Sequence, residues 1–385
     1  MRQTVVGEPV TVLAAPDSFK GALSSSSAGE AVRRGFLKRC PDARVLVFPV
    51  GDGGEGTADA LNAAFHSDLH SVTVSDTHGA PVAASFGICT RNGTKTAVLD
   101  MASAAGLRLA QKHDCELPRS STRGVGEMIR TALNMGCRHI LVGLGGSGTC
   151  DGGVGALAAL GVRFTGENGQ DLTDPRTEDL GSIRDADFSE ARRLFDGVRL
   201  TLLYDSGVPL TGPHGAVLLY ARQKGAREED LPGMERDMIR FADLCDRDAG
   251  KPLSQFPGAG AAGGLGYGLS LIGGELVPGA QTVLDAVGFP EASRSAGLVI
   301  TGEGKTDAQT ATGKLPLAVC RAAKEVNPSV KTVCLCGVSD PTESLYRDGV
   351  DAVFALADRP MTSEESMERT EELLEKAAFN LAGLI

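Results

Sequence analysis

The sequence contains no tryptophan, and aromatic residues make up only 4% of it. Proteins that bind single-stranded nucleic acid stack its bases on aromatic side chains, so this scarcity argues against that class. Positively charged residues are also in deficit, because the sequence has 38 Lys and Arg but 49 Asp and Glu, which gives a formal net charge of −11. An acidic field of this size repels nucleic acid and anionic membranes, and we therefore expect neither as a partner.

Metal-binding cysteine pairs and long apolar segments are missing as well. The nine cysteines contain no CxxC pair and the six histidines no HExxH motif, so the sequence predicts no structural zinc site. No apolar run approaches the roughly 18 residues of a membrane-spanning helix, and the first run is too short for a signal peptide. These absences predict a reduced, cytoplasmic protein.

Glycine, in contrast, is abundant, at 50 of 385 residues. Glycine without a repeat marks many tight backbone positions, which suits loops that wrap small anions. The remaining composition, 42% hydrophobic and 23% charged, is that of a globular protein, and the length favours two domains.

Strand and helix patterns alternate at both ends of the chain, which is typical of a parallel sheet. The apolar runs that predict strands are 10–16, 44–50, 297–302, 331–337 and 352–356. Neither end alone holds enough strands for a sizeable sheet, but together they make five. The predicted fold class is therefore α/β, with a flavodoxin-like parallel-sheet domain interrupted by a second, inserted α/β domain. We expect residues 1–66 and 286–385 to form the first domain and residues 67–285 the second.

Three further patterns are local. Between residues 70 and 100, strand patterns separated by turns predict antiparallel pairing. The charged stretches 165–195 and 225–255 are expected to be peripheral. At the C-terminal end, T-S-E-E predicts a capping box between Thr362 and Glu365 and one last helix, with Met367 on its inner face.

Three unusual loops follow strands of the discontinuous domain. They are A-P-D-S-F-K-G (15–21), G-D-G-G-E-G-T (51–57) and T-G-E-G-K-T-D-A-Q-T (301–310). Ligands of parallel sheets bind at the carboxyl ends of the strands, where glycine lets N–H groups approach phosphate oxygens and a carboxylate can hold Mg²⁺. Any single loop is equally well a tight turn, but three at one sheet edge favour a binding site.

A fourth loop, G-L-G-G-S-G-T-C-D-G-G-V-G (143–155), lies in the inserted domain. Gly143, Gly145 and Gly148 spell GxGxxG, which allows a dinucleotide site and hence an NAD-dependent hydroxy-acid oxidoreductase. However, Asp151 would repel a pyrophosphate at the start of the following helix, so a phosphate or magnesium–phosphate loop is preferred. A close helix–strand packing turn is the third interpretation.

At these four loops the chain resembles the bacterial-type glycerate kinase family (glycerate 2-kinase). The segments that carry the resemblance are A-P-D-S-F-K-G, D-G-G-E-G-T-A-D-A-L, D-M-A-S-A-A-G-L, G-L-G-G-S-G-T-C-D-G-G, P-L-T-G-P-H-G-A, G-A-G-A-A-G-G-L-G and T-G-E-G-K-T-D-A-Q-T. The resemblance implies ATP-dependent phosphorylation of D-glycerate with 2-phosphoglycerate as the expected product, ATP and Mg²⁺ as cofactors, and two α/β domains. It leaves homo-oligomerisation open.

Phosphoryl transfer needs positioning and charge neutralisation more than covalent help. We expect the catalytic residues to be Asp151, Asp52, Asp307 and Lys20. The same three aspartates are the candidate metal ligands, and the sequence does not separate the two roles. We expect substrate and phosphate to bind Asp17, Ser18, Gly53, Gly54, Glu55, Gly145, Gly146, Ser147, Glu303, Lys305 and Lys314. For Asp151 the competing interpretation is a helix cap.

Several positions depart from the family pattern. Cys150 and Val208 stand where the family has asparagine, and Lys305 stands where it has arginine. Lysine does not reproduce the two-pronged anion contact of arginine. These departures leave the substrate preference open, and a non-catalytic metabolite-binding protein is a further alternative.

Overall fold

The computed structural model describes residues 9–54, 56–307, 310 and 314–385. Its strands are, in chain order, β1 (Thr11–Ala14), β2 (Arg44–Val47), β3 (Asp68–Ser75), β4 (Pro81–Arg91), β5 (Thr94–Asp100), β6 (His139–Gly143), β7 (Arg163–Thr165), β8 (Asp171–Leu172), β9 (Asp185–Asp187), β10 (Arg199–Tyr204), β11 (Glu275–Pro278), β12 (Leu298–Thr306), β13 (Lys331–Ser339) and β14 (Ala352–Ala355). Its helices are α1 (Ser25–Arg39), α2 (Thr57–Phe65), α3 (Ala102–Ala105), α4 (Leu107–Ala110), α5 (Arg123–Asn134), α6 (Val154–Ala159), α7 (Ser189–Leu194), α8 (Ala216–Tyr220), α9 (Leu231–Ala249), α10 (Leu265–Ser270), α11 (Gly279–Ala286), α12 (Phe289–Ser293), α13 (Leu315–Val326), α14 (Glu343–Arg347), α15 (Ser363–Glu368) and α16 (Thr370–Leu381).

The chain divides into two compact units. Unit 1 takes the described residues of Met1–Asp52, Asp59–Ala64 and Ala280–Ile385, and unit 2 takes those of Gly53–Ala58 and Phe65–Gly279. The boundaries expected at residues 66 and 286 stay a prediction, and they differ from this division, which assigns Gly53–Ala58 to unit 2 and residues 280–285 to unit 1.

Unit 1 is built on a five-stranded parallel sheet with the strand order β14-β13-β12-β1-β2. Numbered along the unit, this order is 2-1-3-4-5, which is the flavodoxin-like arrangement. The central pairing joins the two ends of the chain, since Val12 of β1 lies opposite Leu298 of β12. The predicted α/β class with a parallel sheet is confirmed.

Helices α1 and α16 cover one face of this sheet and bury Phe36 and Leu374. Helix α1 begins at Ser24, whose hydroxyl accepts a hydrogen bond from the Ser27 N–H (3.2 Å). The two helices approach closely at Gly35, where a Cβ atom would lie 2.1 Å from the Glu375 carbonyl oxygen. Any larger residue at this position would push the helices apart.

The C-terminal region differs from the single helix that the sequence predicts. Thr362 does cap a helix, because its hydroxyl accepts from the Glu365 N–H (3.2 Å). That helix, α15, ends at Glu368. The next residue, Arg369, has a ψ of 6°, which departs from helical geometry, and α16 begins directly after it. The break changes the buried face, so Met367 is 44% exposed and the inner position that we expected for it is wrong.

Unit 2 contains a six-stranded mixed sheet with the order β11-β10-β6-β5-β4-β3. Strands β3, β4 and β5 pair antiparallel, which confirms the prediction from their short turns. Strands β5, β6, β10 and β11 run parallel to one another. The carboxyl ends of β5, β6 and β10 therefore share one edge, which carries Asp100, the loop 143–155 and Asp205.

The charged stretches that we expected to be peripheral are partly interior. Residues 163–187 form a separate three-stranded sheet with the order β8-β7-β9. Helix α9 buries Met238 and Phe241 completely in the core of unit 2, so the peripheral prediction is wrong for this helix. The apolar residues of this helix recur at helical spacing and form one buried stripe. The average composition of the segment, which is dominated by charged residues, does not show this stripe.

Candidate functional site

The loops after β1 and β2 meet the carboxyl end of β12 at one edge of the unit 1 sheet. Residues 301–306, which we expected to begin a loop, are the last residues of β12, so the loop prediction is wrong for them. The Asp17 N–H donates to the Gly302 carbonyl (2.8 Å), which fastens the loop after β1 to β12. Ser25, the first residue of α1, connects the loop after β2. Its hydroxyl donates to the Pro16 carbonyl (2.7 Å) and accepts from the Val50 N–H (2.9 Å). The three acidic, glycine-containing loops are thereby held together.

Carboxylates of these loops influence one another's ionisation. Burial raises the pKa of Asp17 well above its usual range, and the negative charge of Asp52 raises it further. The opposing contributions are the Ser18 N–H, which donates to Asp17 Oδ1 (2.7 Å), and the charge of Lys20. Glu303 adds a smaller repulsion, and burial raises its own pKa because only 7% of the residue is exposed. The site therefore concentrates acids that are costly to ionise together.

Two hydroxyl groups hold the carboxylate of Glu303 in one orientation. Its Oε1 atom accepts from the hydroxyls of Thr306 (3.1 Å) and Thr310 (2.6 Å). The Thr310 hydroxyl also accepts from the Asp307 N–H (3.1 Å), so the same side chain shapes the loop that follows β12. A carboxylate fixed in this way is better placed to bind a ligand than a freely rotating one.

The lysines of these loops have different surroundings. Lys305, expected to face an anionic ligand, forms an ion pair with Asp307 (Nζ–Oδ2 2.9 Å), and 59% of its side chain is exposed. Lys20 is exposed, and Lys314 is partly buried just before α13. The charge of Lys314 lowers the pKa of Glu303, so it lies within electrostatic reach of the carboxylates.

A resident metal centre is not evident in this edge of the sheet. Within the residues that the structure describes, no cluster of three or more His, Cys, Asp or Glu side chains has the arrangement of a metal site. The donors nevertheless fit Mg²⁺, which takes one or two carboxylates and fills its shell with water and substrate oxygens. A cation there would relieve the repulsion that raises the pKa of Asp17.

In unit 2, backbone contacts fix the glycine-rich loop after β6. The Gly145 N–H, one of the expected anion donors, donates to the Gly53 carbonyl (3.0 Å). Gly53 has a φ of +100°, and a Cβ atom there would lie 2.6 Å from the carbonyl carbon of Tyr204. Gly54 is buried beside it, and Glu55 lies outside the described residues. These glycines thus shape the loop by close packing.

The tip of this loop is different. Gly146 is exposed, with a φ of +71°, and Ser147 is partly exposed. The Gly146 carbonyl accepts from the Leu107 N–H (2.8 Å). In contrast, the N–H groups of Gly146 and Ser147 have no acceptor among the described residues. The tip therefore offers two backbone donors to a ligand.

Asp151, the leading catalytic candidate from the sequence, is fully buried in unit 2. Its Oδ2 atom accepts from the Thr122 N–H (2.8 Å), the Thr122 hydroxyl (2.8 Å) and the Gly155 N–H (3.2 Å), and its Oδ1 atom accepts from the Gly153 N–H (3.0 Å). Burial raises the pKa of Asp151, and these hydrogen bonds act in the opposite direction. The carboxylate joins the first turns of α5 and α6, which is the geometry of a structural cap.

Two charged residues near the loop did not emerge from the sequence. Lys224, only 3% exposed, donates from Nζ to the Ser147 hydroxyl (2.6 Å) and to the Thr149 carbonyl (2.9 Å). Asp205, exposed at the carboxyl end of β10, interacts electrostatically with Lys224. Asp205 could have been found from the sequence, because ligands of parallel sheets bind at the carboxyl ends of the strands. Lys224 lies in R-Q-K-G, a stretch that resembles an ordinary solvated turn.

The departures from the family pattern lie in different environments. Cys150 is 1% exposed, and burial raises its pKa to about 11, which keeps the thiol protonated at neutral pH. Val208 is partly buried, and its carbonyl accepts from the Gly260 N–H (3.0 Å). Cys150 is therefore a small interior side chain, in keeping with its apolar surroundings.

Comparisons with known proteins identify the family. The model of the glycerate kinase family matches residues 12–385. The glycerate kinase of Halalkalibacterium halodurans is 37% identical over 374 residues, which cover 97% of each chain. The glycerate 2-kinase of Escherichia coli K12 is 33% identical over 376 residues, again 97% of each chain. A crystal structure assigned to glycerate kinase 2 of Salmonella typhimurium LT2 is similar with a TM-score of 0.82 at 33% identity, over 98% of each chain.

The chain belongs to the glycerate kinase family, which confirms the resemblance seen in its loop motifs.

Proposed function

We propose that this protein transfers the γ-phosphoryl group of ATP to D-glycerate and forms 2-phosphoglycerate. The observation that carries the proposal is the group of acids Asp17, Asp52 and Glu303 beside Lys20, in loops joined at the carboxyl edge of the unit 1 sheet. A chain of the glycerate kinase family needs a proton acceptor for the substrate hydroxyl and cations for the phosphates, and this edge supplies both.

Asp17 is the proposed general base. A base works best when its pKa lies near the operating pH, and burial together with Asp52 shifts the pKa of Asp17 in that direction. Lys20 and Lys314 would face the anionic groups of ATP and glycerate. Glu303, held by two threonine hydroxyls, would orient the substrate through its remaining oxygen.

Mg²⁺ is proposed as the metal, with Asp52 and Asp307 as the residues that would hold it. When bound, it neutralises the charge of the phosphate oxygens. Asp307 also pairs with Lys305, so a metal at that carboxylate would compete with the lysine. Asp151 is assigned a structural role in this proposal, because its two oxygens already accept four hydrogen bonds.

The glycine-rich loop of unit 2 is proposed to bind an anion through Gly146 and Ser147. Gly53, Gly54 and Gly145 would support its shape, and Ser18 would support Asp17. The alternative of a dinucleotide site has little support, because a Rossmann motif needs a βαβ unit. Here the strand after α6 is β7, which belongs to a separate small sheet rather than to the sheet of β6.

The test is to incubate the protein with γ-¹⁸O-labelled ATP, Mg²⁺ and D-glycerate and to analyse the product by mass spectrometry and ³¹P NMR. We expect labelled 2-phosphoglycerate. A 3-phosphoglycerate product would correct only the position of transfer. A parallel reaction with NAD and glycerate is the control, and NADH formation there without phosphorylation would refute the kinase proposal.

We also propose a cytoplasmic protein with small-molecule partners. In the part of the chain that the structure describes, no helix is both long and apolar enough to cross a membrane. All nine cysteines are present as free thiols, six of them buried. Thiol titration of freshly purified, denatured protein without reductant checks the reducing compartment, and stable disulfides would contradict it.

A further inference from the structure

Lys224 is an unusual residue for the interior of a protein. Its side chain is 3% exposed, yet it takes part in no ion pair among the described residues. Its partners are neutral oxygens, the Ser147 hydroxyl and the Thr149 carbonyl. Burying an ammonium group without a carboxylate against it is costly, and here the desolvation lowers the pKa of Lys224. A methionine or leucine would fill the same space without that cost.

The contact with Lys224 determines what Ser147 can do. An ammonium group has only donors, so the Ser147 oxygen is the acceptor in the 2.6 Å hydrogen bond. The serine proton must then point away from Lys224. The second bond, to the Thr149 carbonyl (2.9 Å), holds the ammonium group in place behind the serine. Lys224 therefore converts the Ser147 hydroxyl into an oriented donor.

Ser147 is also where the loop reaches solvent. It is partly exposed beside the exposed Gly146, and the N–H groups of both residues have no acceptor in the described part of the chain. The oriented hydroxyl adds a third donor to these two. Two acids, Asp151 and Asp205, act on Lys224 electrostatically and oppose the effect of desolvation on its pKa. In such surroundings an anion at the tip needs a local positive charge, which Lys224 supplies.

We propose that Lys224 is a positioning residue, which orients the Ser147 hydroxyl and charges the loop tip so that Gly146 and Ser147 bind an oxyanion. The oxyanion is a phosphate of the nucleotide or the carboxylate of the hydroxy acid. The inference rests on the proposed function for the identity of these two ligands. It is independent of which acid is the general base.

The experiment compares Lys224→Met, Ser147→Ala and the double variant by isothermal titration. The two probes are the magnesium complex of the non-hydrolysable ATP analogue AMP-PNP, and D-glycerate alone. Each single variant should weaken binding of the same probe by about 10-fold or more, the usual effect of losing a hydrogen bond to a charged group. Loss confined to AMP-PNP identifies a phosphate, and loss confined to D-glycerate identifies the carboxylate.

The double variant separates positioning from general destabilisation. If Lys224 acts through Ser147, the dissociation constant of the double variant for the affected probe should not exceed that of the single variant with the lower affinity. Lys324→Met is the matched control. Lys324 is a partly buried lysine that bonds the Val330 carbonyl (3.0 Å) and Asp351, outside the proposed sites, so its loss should leave both dissociation constants unchanged.

If Lys224→Met does not fold, Ser147→Ala and Ser147→Thr decide the matter. Alanine should weaken binding and threonine, which keeps a hydroxyl, should restore most of it. Three results would overturn the inference. The first is an unchanged affinity of Ser147→Ala for both probes, the second is additive losses of affinity in the double variant, and the third is a wild type that binds neither probe. Turnover of ATP and D-glycerate is measured separately, so an inactive wild type that still shows the Ser147 effect on AMP-PNP contradicts only the proposed function.

Discussion

Asp17 and Asp151 each lie between a strand and the helix that follows it, Asp17 in unit 1 and Asp151 in unit 2, yet the surroundings of their carboxylates are opposite. The carboxylate of Asp151 is fully buried and accepts four hydrogen bonds. The carboxylate of Asp17 accepts one, from the Ser18 N–H, in the described part of the chain, and it is repelled by Asp52 and Glu303. The number of donors within reach, together with the repulsion from other acids, separates a structural carboxylate from one available for chemistry.

The strongest test of this comparison disrupts the sheet that carries Asp17 and leaves the residues around Asp151 in place. A chain that ends at residue 285 lacks β12, β13 and β14, so β1 loses one of its two partner strands. We expect unit 1 to remain unfolded and turnover to be absent, as judged by thermal melts followed by circular dichroism. A cooperative melt equal to that of the full-length protein would contradict the discontinuous unit.

Asp17→Asn should have the next largest effect, on catalysis. The loss of a general base lowers kcat by about 10²-fold or more. Because the native pKa of Asp17 lies above its unfolded value, the folded state binds more protons there, and stability falls as pH rises through the native pKa. The amide removes this penalty, so Tm at pH 7 should be equal to or above that of the wild type.

Asp59→Asn is the control for this substitution, because Asp59 is an exposed acid on α2. It should change neither kcat nor Tm. Near-normal kcat for Asp17→Asn would remove Asp17 as the base and leave Asp52 and Asp307 as the candidates.

Asp151→Asn should show the reverse pattern. The amide group cannot accept the hydrogen bonds that one carboxylate oxygen now accepts, which should lower the unfolding free energy by about 3 kcal/mol. The kcat of the protein that remains folded should stay within about 3-fold of wild type, because the carboxylate is fully buried and both of its oxygens already accept hydrogen bonds. Denaturant melts and initial rates below the melting range measure both quantities. An unchanged stability with a large loss of kcat would show that Asp151 is catalytic.

The smallest effect concerns the pH profile. The charge of Asp52 raises the pKa of Asp17, so Asp52→Asn should lower it. The acidic limb of the kcat/KM profile should then move to lower pH, by about one unit or less for a single neighbouring charge. Because Asp52 is also a proposed Mg²⁺ ligand, we expect a lower rate as well, and the limb is therefore read from a profile normalised to the variant's own maximum. A limb that stays in place would mean that a different group titrates in the free enzyme.

The sequence predicts the framework of unit 1 well, because short apolar runs mark its strands and the central strands β1 and β12 are buried along those runs. The α15–α16 break at Arg369 was not predictable from periodicity, since the residues on each side fit a helix equally well. The interior position of α9 was missed for a related reason. Its buried side, including Met238 and Phe241, is hidden among charged residues in the averaged composition.

The site was predicted less completely than the fold. Glycines and acids drew attention to the loops, but they do not show how many N–H groups converge on Asp151. Lys224 was missed because its burial depends on chain segments far away in sequence, Ser147 and Thr149. Such long-range contacts decide which polar residues lose their water, and a local pattern does not contain them.

The pairing of β1 with β12 also delays the folding of unit 1 during synthesis of the chain. Val12 and its partner Leu298 are separated by 298 − 12 = 286 positions, which a ribosome covers in roughly 15 to 60 s at about 5–20 residues per second. The described residues Phe65–Gly279 of unit 2 emerge within that interval, while the apolar β1 still lacks β12, one of its two partner strands. The nascent chain therefore finishes its second unit before its first, and chaperones that shield the waiting strands should control the soluble yield.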